Sequence, residues 1–597
     1  MRKLGVNKSD TAAQIWWGGV GKGLNGRRDE ELHLAGMTKV RLVLMKVVFV
    51  AAMVMVGLRL FELQVVQGQT LRARSDNNRI YRRTFSAPRG VITDRKGVPL
   101  VVNQPIYRLM TTDEGKLRMD TALISREEAL RREAGGDSSV VYDVGRYYPW
   151  GPVMAHVVGY VAEAGEEEVA SGYTLGDLVG RAGVEREYEN ALAGVRGSEL
   201  VEVDAVGKVI RRVGQEEPTA GVDVGLTVDA GLQQELYRLM DGNKGVVVAT
   251  NPNNGEILAL VSSPSFDPNL FSLESNQVGS GKHVDEVARQ KELAVVLTSE
   301  DQPLLDRAVA GIYPPGSVFK VVPAVAGLET GKVNFETKVN DEGALTVDQY
   351  RYGNWYFDQY GRTEGEVDLV TALKRSNDIF FYKVGEWLGP VTLGEWAGNF
   401  GLGKLTGVDL PGEVAGLVPT PAWKEKVKGE RWFLGNTYHM AIGQGDVLVT
   451  PLGLNQMMGV IASGGRWCRP HVLKSKGGVD QHVTECHEVG ISQENLDLVK
   501  SGLVAACQTG GTGYPLFGYD LGQYGPEYAG DRSKVACKTG TAQFVNSDNL
   551  THAWFSVFAP AVNPEIQLTV LVEGGGEGSA VAAPIARQAL GWWFENK

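Results

Sequence analysis

Twenty consecutive residues, Leu42 to Phe61, read LVLMKVVFVAAMVMVGLRLF and hold only two charges, Lys46 and Arg59. As a helix rising about 1.5 Å per residue, this run matches the ~30 Å hydrocarbon layer of a membrane. No polar stripe repeats at the helical period, so it does not read as one face of a soluble core helix. The two basic side chains lie toward its ends, where their aliphatic stems let the charges snorkel to the headgroups. The residues that follow, RLFELQVV, offer no small-x-small cleavage pattern, and the run is read as a single uncleaved signal anchor. It divides the chain into a short polar tail over 1–41, an anchor over 42–63 and a long remainder that folds outside the bilayer.

Basic residues occur on both flanks: Lys39 and Arg41 before the span, then Arg72, Arg74, Arg79, Arg82 and Arg83 after it. Long domains cross membranes largely regardless of charge, so the short side is expected in the cytoplasm and the large part on the outer side of the cell membrane. The tail contains GGVGKG, which lacks the Lys-Ser/Thr and the preceding strand of a phosphate loop. Met37 opens MTKVRLVLMKVVF, a natural beginning for a signal anchor, so translation from there is an alternative start.

At 597 residues the chain exceeds what one hydrophobic core serves, and two or three domains are expected. A net charge of -11 argues against nucleic acid as a partner. The four cysteines, Cys468, Cys486, Cys507 and Cys537, show no C-x-x-C spacing, and support neither a zinc ribbon nor a fold built on disulfides.

After the anchor the texture is mostly β. RTFSAPRGVITDRKGVPLVVN predicts a hairpin at Lys96-Gly97; an amphipathic helix follows near 183–193, then two strands around Val206-Gly207. The joint GQEEPTAGVD marks a boundary, giving a β-rich region over 64–222 and a larger domain over 223–597. That domain opens with a strand and helix in LTVDAGLQQELYRLM and a hairpin in GVVVATNPNNGEILALVSSP. It closes with three strand-like runs and the helix AVAAPIARQALGWWF. Early and late strands with helices between them predict an α+β fold whose central antiparallel sheet joins both ends of the domain.

Three separated elements carry chemistry. Ser317 and Lys320 form S-x-x-K in YPPGSVFKVVPAVAGL, Ser376 and Asp378 lie in LKRSNDIFFYKVG, and Lys538, Thr539 and Gly540 lie in VACKTGTAQF. Pro-Gly-Ser before an apolar run is also an ordinary helix start, with Ser317 as cap and Lys320 solvated. Against that, residues three apart on a helix share a face, and a serine needs a neighbouring base to become a nucleophile. A lysine serves as that base only if burial or a second cation favours its neutral form, and Lys538 is placed to help. Alternation along CKTGT points Lys538 and Gly540 to the cleft and Cys537 to the interior. The backbone N–H groups of Thr541 and Ser317 would form an oxyanion hole, and Gly540 would leave room for substrate along the strand. Each element alone is weak; their order, with about sixty residues between the first two and about 160 before the third, is specific.

With these motifs the chain resembles the class B penicillin-binding proteins, nearest the elongation-type branch called penicillin-binding protein 2. YPPGS and the aspartate ending the second element are typical of that branch. The resemblance runs from Met37 to the C-terminus. APRGVITDRKGVPLVVN and GRAGVEREYENALAGVRG look like the family's pedestal, and NPNNGEILALVSSPSFDPN and AIGQGDVLVTPLGL like its transpeptidase domain. It implies a penicillin-binding, serine β-lactamase-like fold and a D,D-transpeptidase that crosslinks peptidoglycan stem peptides through an acyl-enzyme and binds β-lactams covalently. Ser317 is then the nucleophile, Lys320 its base, Ser376 the proton relay, Asp378 an orienting group and Lys538 a positive charge, with Thr539 and Thr541 at the donor carboxylate.

A SEDS-type glycan polymerase is the implied partner. No cofactor is implied, and no zinc, because the segment between the first two motifs has neither Cys nor His. The segment Tyr107–Tyr160 is short for the branch, which points to a reduced pedestal head. A β-lactamase, a carboxypeptidase, a β-lactam-binding sensor or scaffold and a septal transpeptidase are the alternatives.

Overall fold

The computed structural model describes residues 30–72, 80–113, 116–137, 139–173, 177–203, 209–271, 286–481, 484–543 and 550–597. The chain divides into two compact units, Met1–Tyr81 and Arg82–Lys597. In the first, α1 (Glu30–Phe61) continues through a π-helical turn at Glu62–Val66. Val40–Val66 is 27 residues long; its most apolar stretch has a mean hydropathy of 2.2 and none of that stretch is buried against protein, as a helix solvated by lipid requires. The helix starts before the apolar run, in EELHLAG; the tail over 1–29 and the arginines at 74 and 79 lie outside the described residues.

The second unit begins with the β-rich part. Ile92–Thr93 pairs antiparallel with the long strand Pro99–Asp113 across the expected hairpin. The turn is set by Asp94, whose carboxylate accepts from Lys96 N at 2.8 Å and Val98 N at 2.7 Å, while Gly97 takes a positive φ of 85°. Gly197–Val203 and Val209–Glu216 form the expected antiparallel pair; their Val206-Gly207 turn lies outside the described residues. Val224–Leu226 joins this sheet, lying parallel to Ile92–Thr93 and antiparallel to Leu473–Lys476, so hydrogen bonding runs from the β-rich part into the larger domain.

In that domain α2 (Ala230–Leu239) precedes the hairpin β1 (Gly245–Thr250) and β2 (Ile257–Ser263). The helices α3 (Val321–Glu329), α4 (Leu369–Arg375), α5 (Asp378–Asn399), α6 (Pro451–Ala462) and α7 (Gln493–Ala506) follow. Strands β3 (Ala536–Gln543), β4 (Thr551–Ala559) and β5 (Ile566–Val572) and helix α8 (Ala582–Asn596) complete it. The sheet order is β2-β1-β5-β4-β3 with every neighbour antiparallel, so the two ends of the domain meet between β1 and β5.

Both faces of this sheet are covered, which is why β1 and β2 read as nearly continuous apolar runs. Val246 and Val248 pack with Val322, Phe380 and Met457 of the α3, α5 and α6 layer. Val247 and Ala249 pack with Leu232 of α2 and Leu590 of α8. Each fully buried valine or leucine here contributes roughly 1.5–3 kcal/mol relative to exposure. Strand β3 is left at the sheet's edge, where one side of its backbone has no strand partner.

All four cysteines are paired: Cys468 with Cys486 across two short strands, and Cys507 with Cys537, tying the end of α7 to β3. These bonds staple elements that already share large apolar cores and do not replace those cores. Their pairing is a tertiary outcome that spacings of 18 and 30 residues do not announce.

Candidate active site

Ser317 lies half-buried on a single 3-10 turn, Gly316–Lys320, that leads into α3. This is tighter than the α-helix expected there, and in a 3-10 turn side chains three apart eclipse, placing Lys320 over Ser317. The prosaic helix-start reading fails: no side chain caps the turn, and Lys320 is fully buried, not solvated. The turn is held by its surroundings. Gly316 has φ +54°, and its N–H donates to Gly443 O at 2.9 Å. A Cβ on Gly316 would sit 2.9 Å from Thr541 O. The segment Ala441–Leu454 thus supports the site, and its Gln444 donates from Nε2 to Thr541 O at 3.2 Å.

The second motif is a junction between helices. Helix α4 ends at Ser376, which adopts a left-handed φ of 54°, uncommon for a residue with a Cβ and costing on the order of 1 kcal/mol. Asn377 then caps α5, its side chain accepting from Phe380 N at 2.9 Å. Asp378 is the first residue of α5, where the helix dipole favours its negative charge. Its Oδ1 accepts from Lys320 Nζ at 2.6 Å, and its Oδ2 from Trp355 N at 3.0 Å.

Strand β3 brings the third element to the same place. Lys538 Nζ donates to Ser376 Oγ at 2.8 Å and to Thr539 O at 3.0 Å, while Lys320 Nζ lies 3.3 Å from Ser376 Oγ and 2.7 Å from Ser376 O. The Ser376 hydroxyl therefore stands between two ammonium groups. Both lysines are fully buried, and the Asp378 carboxylate bonds Lys320 directly. Burial pushes the Lys320 pKa down, partly offset by Asp378; burial and then the charge of Lys320 push Lys538 well below the ordinary lysine range. Burial thus disfavours both charges, and that of Lys538 the more, because Lys320 adds repulsion there whereas Asp378 bonds Lys320 directly.

Alternation along β3 places Lys538 and Cys537 as expected, but Gly540 serves another purpose than room for substrate. A Cβ there would meet Val318 Cγ2 and Trp554 Cβ at 3.0 Å and Pro315 O at 3.1 Å. The missing side chain lets the Ser317 turn approach the strand. On the opposite side Thr539 Oγ1 donates to Thr512 Oγ1 at 2.7 Å, and Thr541 is exposed.

Sequence reasoning missed the polar mesh behind the second motif. Buried Asp341 accepts from Asn354 Nδ2 at 2.7 Å and Asn377 Nδ2 at 2.8 Å, and Asn354 Oδ1 in turn accepts from Asp378 N at 3.2 Å. Asp341 and Asn354 lie in NDEGALTVDQYRYGNWYF, where no spacing rule singles them out. Among the described residues no group of three or more His, Cys, Asp or Glu is arranged to hold a metal ion.

Residues 245–591 match the penicillin binding protein transpeptidase domain, and residues 137–226 the penicillin-binding protein dimerisation domain. The chain belongs to the penicillin-binding protein transpeptidases, in their class B, PBP2-type branch, and is a serine-type D,D-transpeptidase by family. The peptidoglycan D,D-transpeptidase MrdA of Escherichia coli K12 is 31% identical over 615 residues, spanning 91% of this chain and 93% of that protein. MrdA of Acinetobacter baumannii is 31% identical over 603 residues, spanning 89% and 84%. Among solved structures, Pseudomonas aeruginosa PBP2 in complex with WCK 5153 has a TM-score of 0.66 at 31% identity, covering 86% of this chain and 96% of that one. PBP2 of Helicobacter pylori in complex with MreC gives 0.71 at 25% identity, covering 86% and 99%. A chain from a peptidoglycan synthase complex that coordinates polymerization and crosslinking gives 0.71 at 30%, covering 93% and 99%.

Proposed function

We propose that this chain crosslinks stem peptides during cell-wall elongation through an acyl-enzyme on Ser317. The observation that carries the reading is the Ser376 hydroxyl held between Lys320 and Lys538, beside the turn that bears Ser317. Neutral Lys320 takes the Ser317 proton as Oγ attacks the carbonyl of the penultimate D-Ala. The C–N bond to the terminal D-Ala breaks, and its amine receives a proton relayed from the lysine pair through Ser376 Oγ. An acceptor amine from a second stem peptide then attacks the ester and gives a proton to the base, and the amide forms as the C–O bond to Ser317 breaks and the base hands that proton to Ser317 Oγ. Asp378 favours the charged form of Lys320 and burial opposes it, while Lys538 is pushed down further, so a proton can pass between the two lysines through Ser376 Oγ. Thr541 N–H and Ser317 N–H bind the oxyanion, and Thr539 and Thr541 meet the donor carboxylate.

The catalytic domain works on the outer side of the membrane, where its substrate is, and the apolar helix Val40–Val66 supports this reading. A SEDS-type glycan polymerase is the partner, bound through the anchor and the β-rich pedestal; the related chain in a peptidoglycan synthase complex supports this. The test is intact-mass analysis with a fluorescent penicillin. A single adduct on Ser317 that persists for many minutes is expected, with no adduct on Ser317→Ala. Release of penicilloic acid within seconds would make the site hydrolytic.

A further inference from the structure

Among the described residues the Ser317 side chain has no hydrogen-bond partner, so its position depends on the four residues before it. Pro314 and Pro315 have no N–H and a fixed φ, so the link from Tyr313 to Gly316 has few soft torsions. Movement of Tyr313 is therefore passed to the nucleophile instead of being absorbed.

Tyr313 is fixed from two directions. Its backbone pairs both ways with Val449, N–H to O and O to N–H at 2.9 Å. Its hydroxyl donates to Glu573 Oε1 at 2.7 Å. Burial, and then Glu573, raise the phenol far above its ordinary pKa, which keeps it a donor. Glu573 directly follows β5, and its N–H donates to Lys244 O at 2.7 Å, at the start of β1. The same Oε1 accepts from Arg307 Nε at 2.9 Å. Arg307 is 1% exposed, and its remaining guanidinium nitrogens donate to the backbone oxygens of Gln302, Leu305 and Asp301. One carboxylate oxygen thus joins a buried arginine, the centre of the sheet and the tyrosine four residues before the nucleophile. Gly311 completes the fit, since a Cβ there would meet the Tyr313 hydroxyl at 2.7 Å.

We propose that Arg307, Glu573 and Tyr313 form a positioning triad that sets the register of the Ser317 turn against β3. The sheet supplies the fixed frame, and the Pro-Pro link transmits it. None of the three touches substrate; each acts through the placement of Ser317 Oγ. The inference rests on Ser317 being the acylated residue, which the wild-type adduct establishes independently.

The test measures penicillin acylation under conditions that separate the binding constant from the first-order acylation constant. Tyr313→Phe removes one hydroxyl and leaves the Arg307–Glu573 pair whole. It should lower the first-order constant ten- to a hundredfold, the size of effect a misplaced nucleophile produces, with penicillin binding within twofold and the melting temperature within a few degrees. Glu573→Gln should act on the same step, and the double variant should lose no more than the worse single, since the triad acts as a unit. A first-order constant within twofold of wild type in Tyr313→Phe would overturn the proposal. So would a loss confined to penicillin binding, or losses in the two variants that multiply. If Glu573→Gln fails to fold, Tyr313→Phe alone still decides the outcome.

Discussion

Two regions of this molecule bury a pair of cations against carboxylates, and they differ in composition. In the pedestal, Arg89 meets Glu185 at 2.8 Å and Glu189 at 2.7 Å, and Arg146 meets Glu185 at 2.6 Å. In the cleft, Lys320 meets Asp378 at 2.6 Å, and among the described residues Lys538 bonds only the Ser376 hydroxyl and a backbone oxygen. The pedestal cluster is balanced, two arginines against two glutamates. There burial disfavours the Arg89 charge, but Glu185 and Glu189 outweigh it and raise its pKa. Glu185 is held below the usual carboxylate range because Arg146 and Arg89 outweigh its burial. The cleft cluster is one carboxylate short, and its cations are of the type that can lose a proton. The same burial therefore locks charge in one region and frees a proton in the other.

The largest effect expected from breaking this contrast is on the cleft. Lys320→Met should lower the acylation rate constant by roughly 10² to 10⁴-fold, because base assistance is lost. Fluorescent-penicillin kinetics check it; a loss under tenfold would move the base to another residue. Next is the pedestal. Glu185→Gln leaves two buried arginines with too little counter-charge and should cost about 3–5 kcal/mol in urea unfolding, as removal of one member of a buried pair does. The acylation constant of the protein that remains folded should be unchanged; a parallel fall would show that the pedestal cluster also tunes the cleft.

The smallest effect concerns pH. Asp378 offsets the burial that lowers Lys320, so Asp378→Asn should move the acid limb of the acylation profile to lower pH, and a shift to higher pH would contradict the assignment. The sign for stability follows from the depressed Lys538. Its folded-state pKa lies below the unfolded 10.5, so the unfolded chain binds more protons between the two values and stability rises with pH across that window. The cost of the buried charge is full below the folded pKa and vanishes toward 10.5. Melting curves of wild type and Lys538→Met should therefore shift in favour of wild type as pH rises.

The apolar N-terminal helix, the central sheet and the residues Lys320, Ser376, Asp378 and Lys538 that the fold brings together could be read directly from the chain. A run of twenty residues with only two charges must lie in lipid or a core, strands such as β1 and β2 that are covered on both faces must be largely apolar, and the spacing of S-x-x-K is local. The β-rich texture after the anchor and the hairpin at Lys96-Gly97 were equally local, because an Asp carboxylate and a glycine define that turn by themselves. What the tertiary structure alone decided concerns distance between parts far apart in sequence. Ser376 lies between Lys320 and Lys538 only because an edge strand from the end of the domain is laid beside helices from its middle. Cys507 pairs with Cys537, Asp341 gathers Asn354 and Asn377, and Glu573 reaches Tyr313 for the same reason. Residue types are chosen by local chemistry, which leaves a pattern along the chain, whereas a proton's affinity depends on burial and on the count of neighbouring charges, and those exist only once the chain has folded.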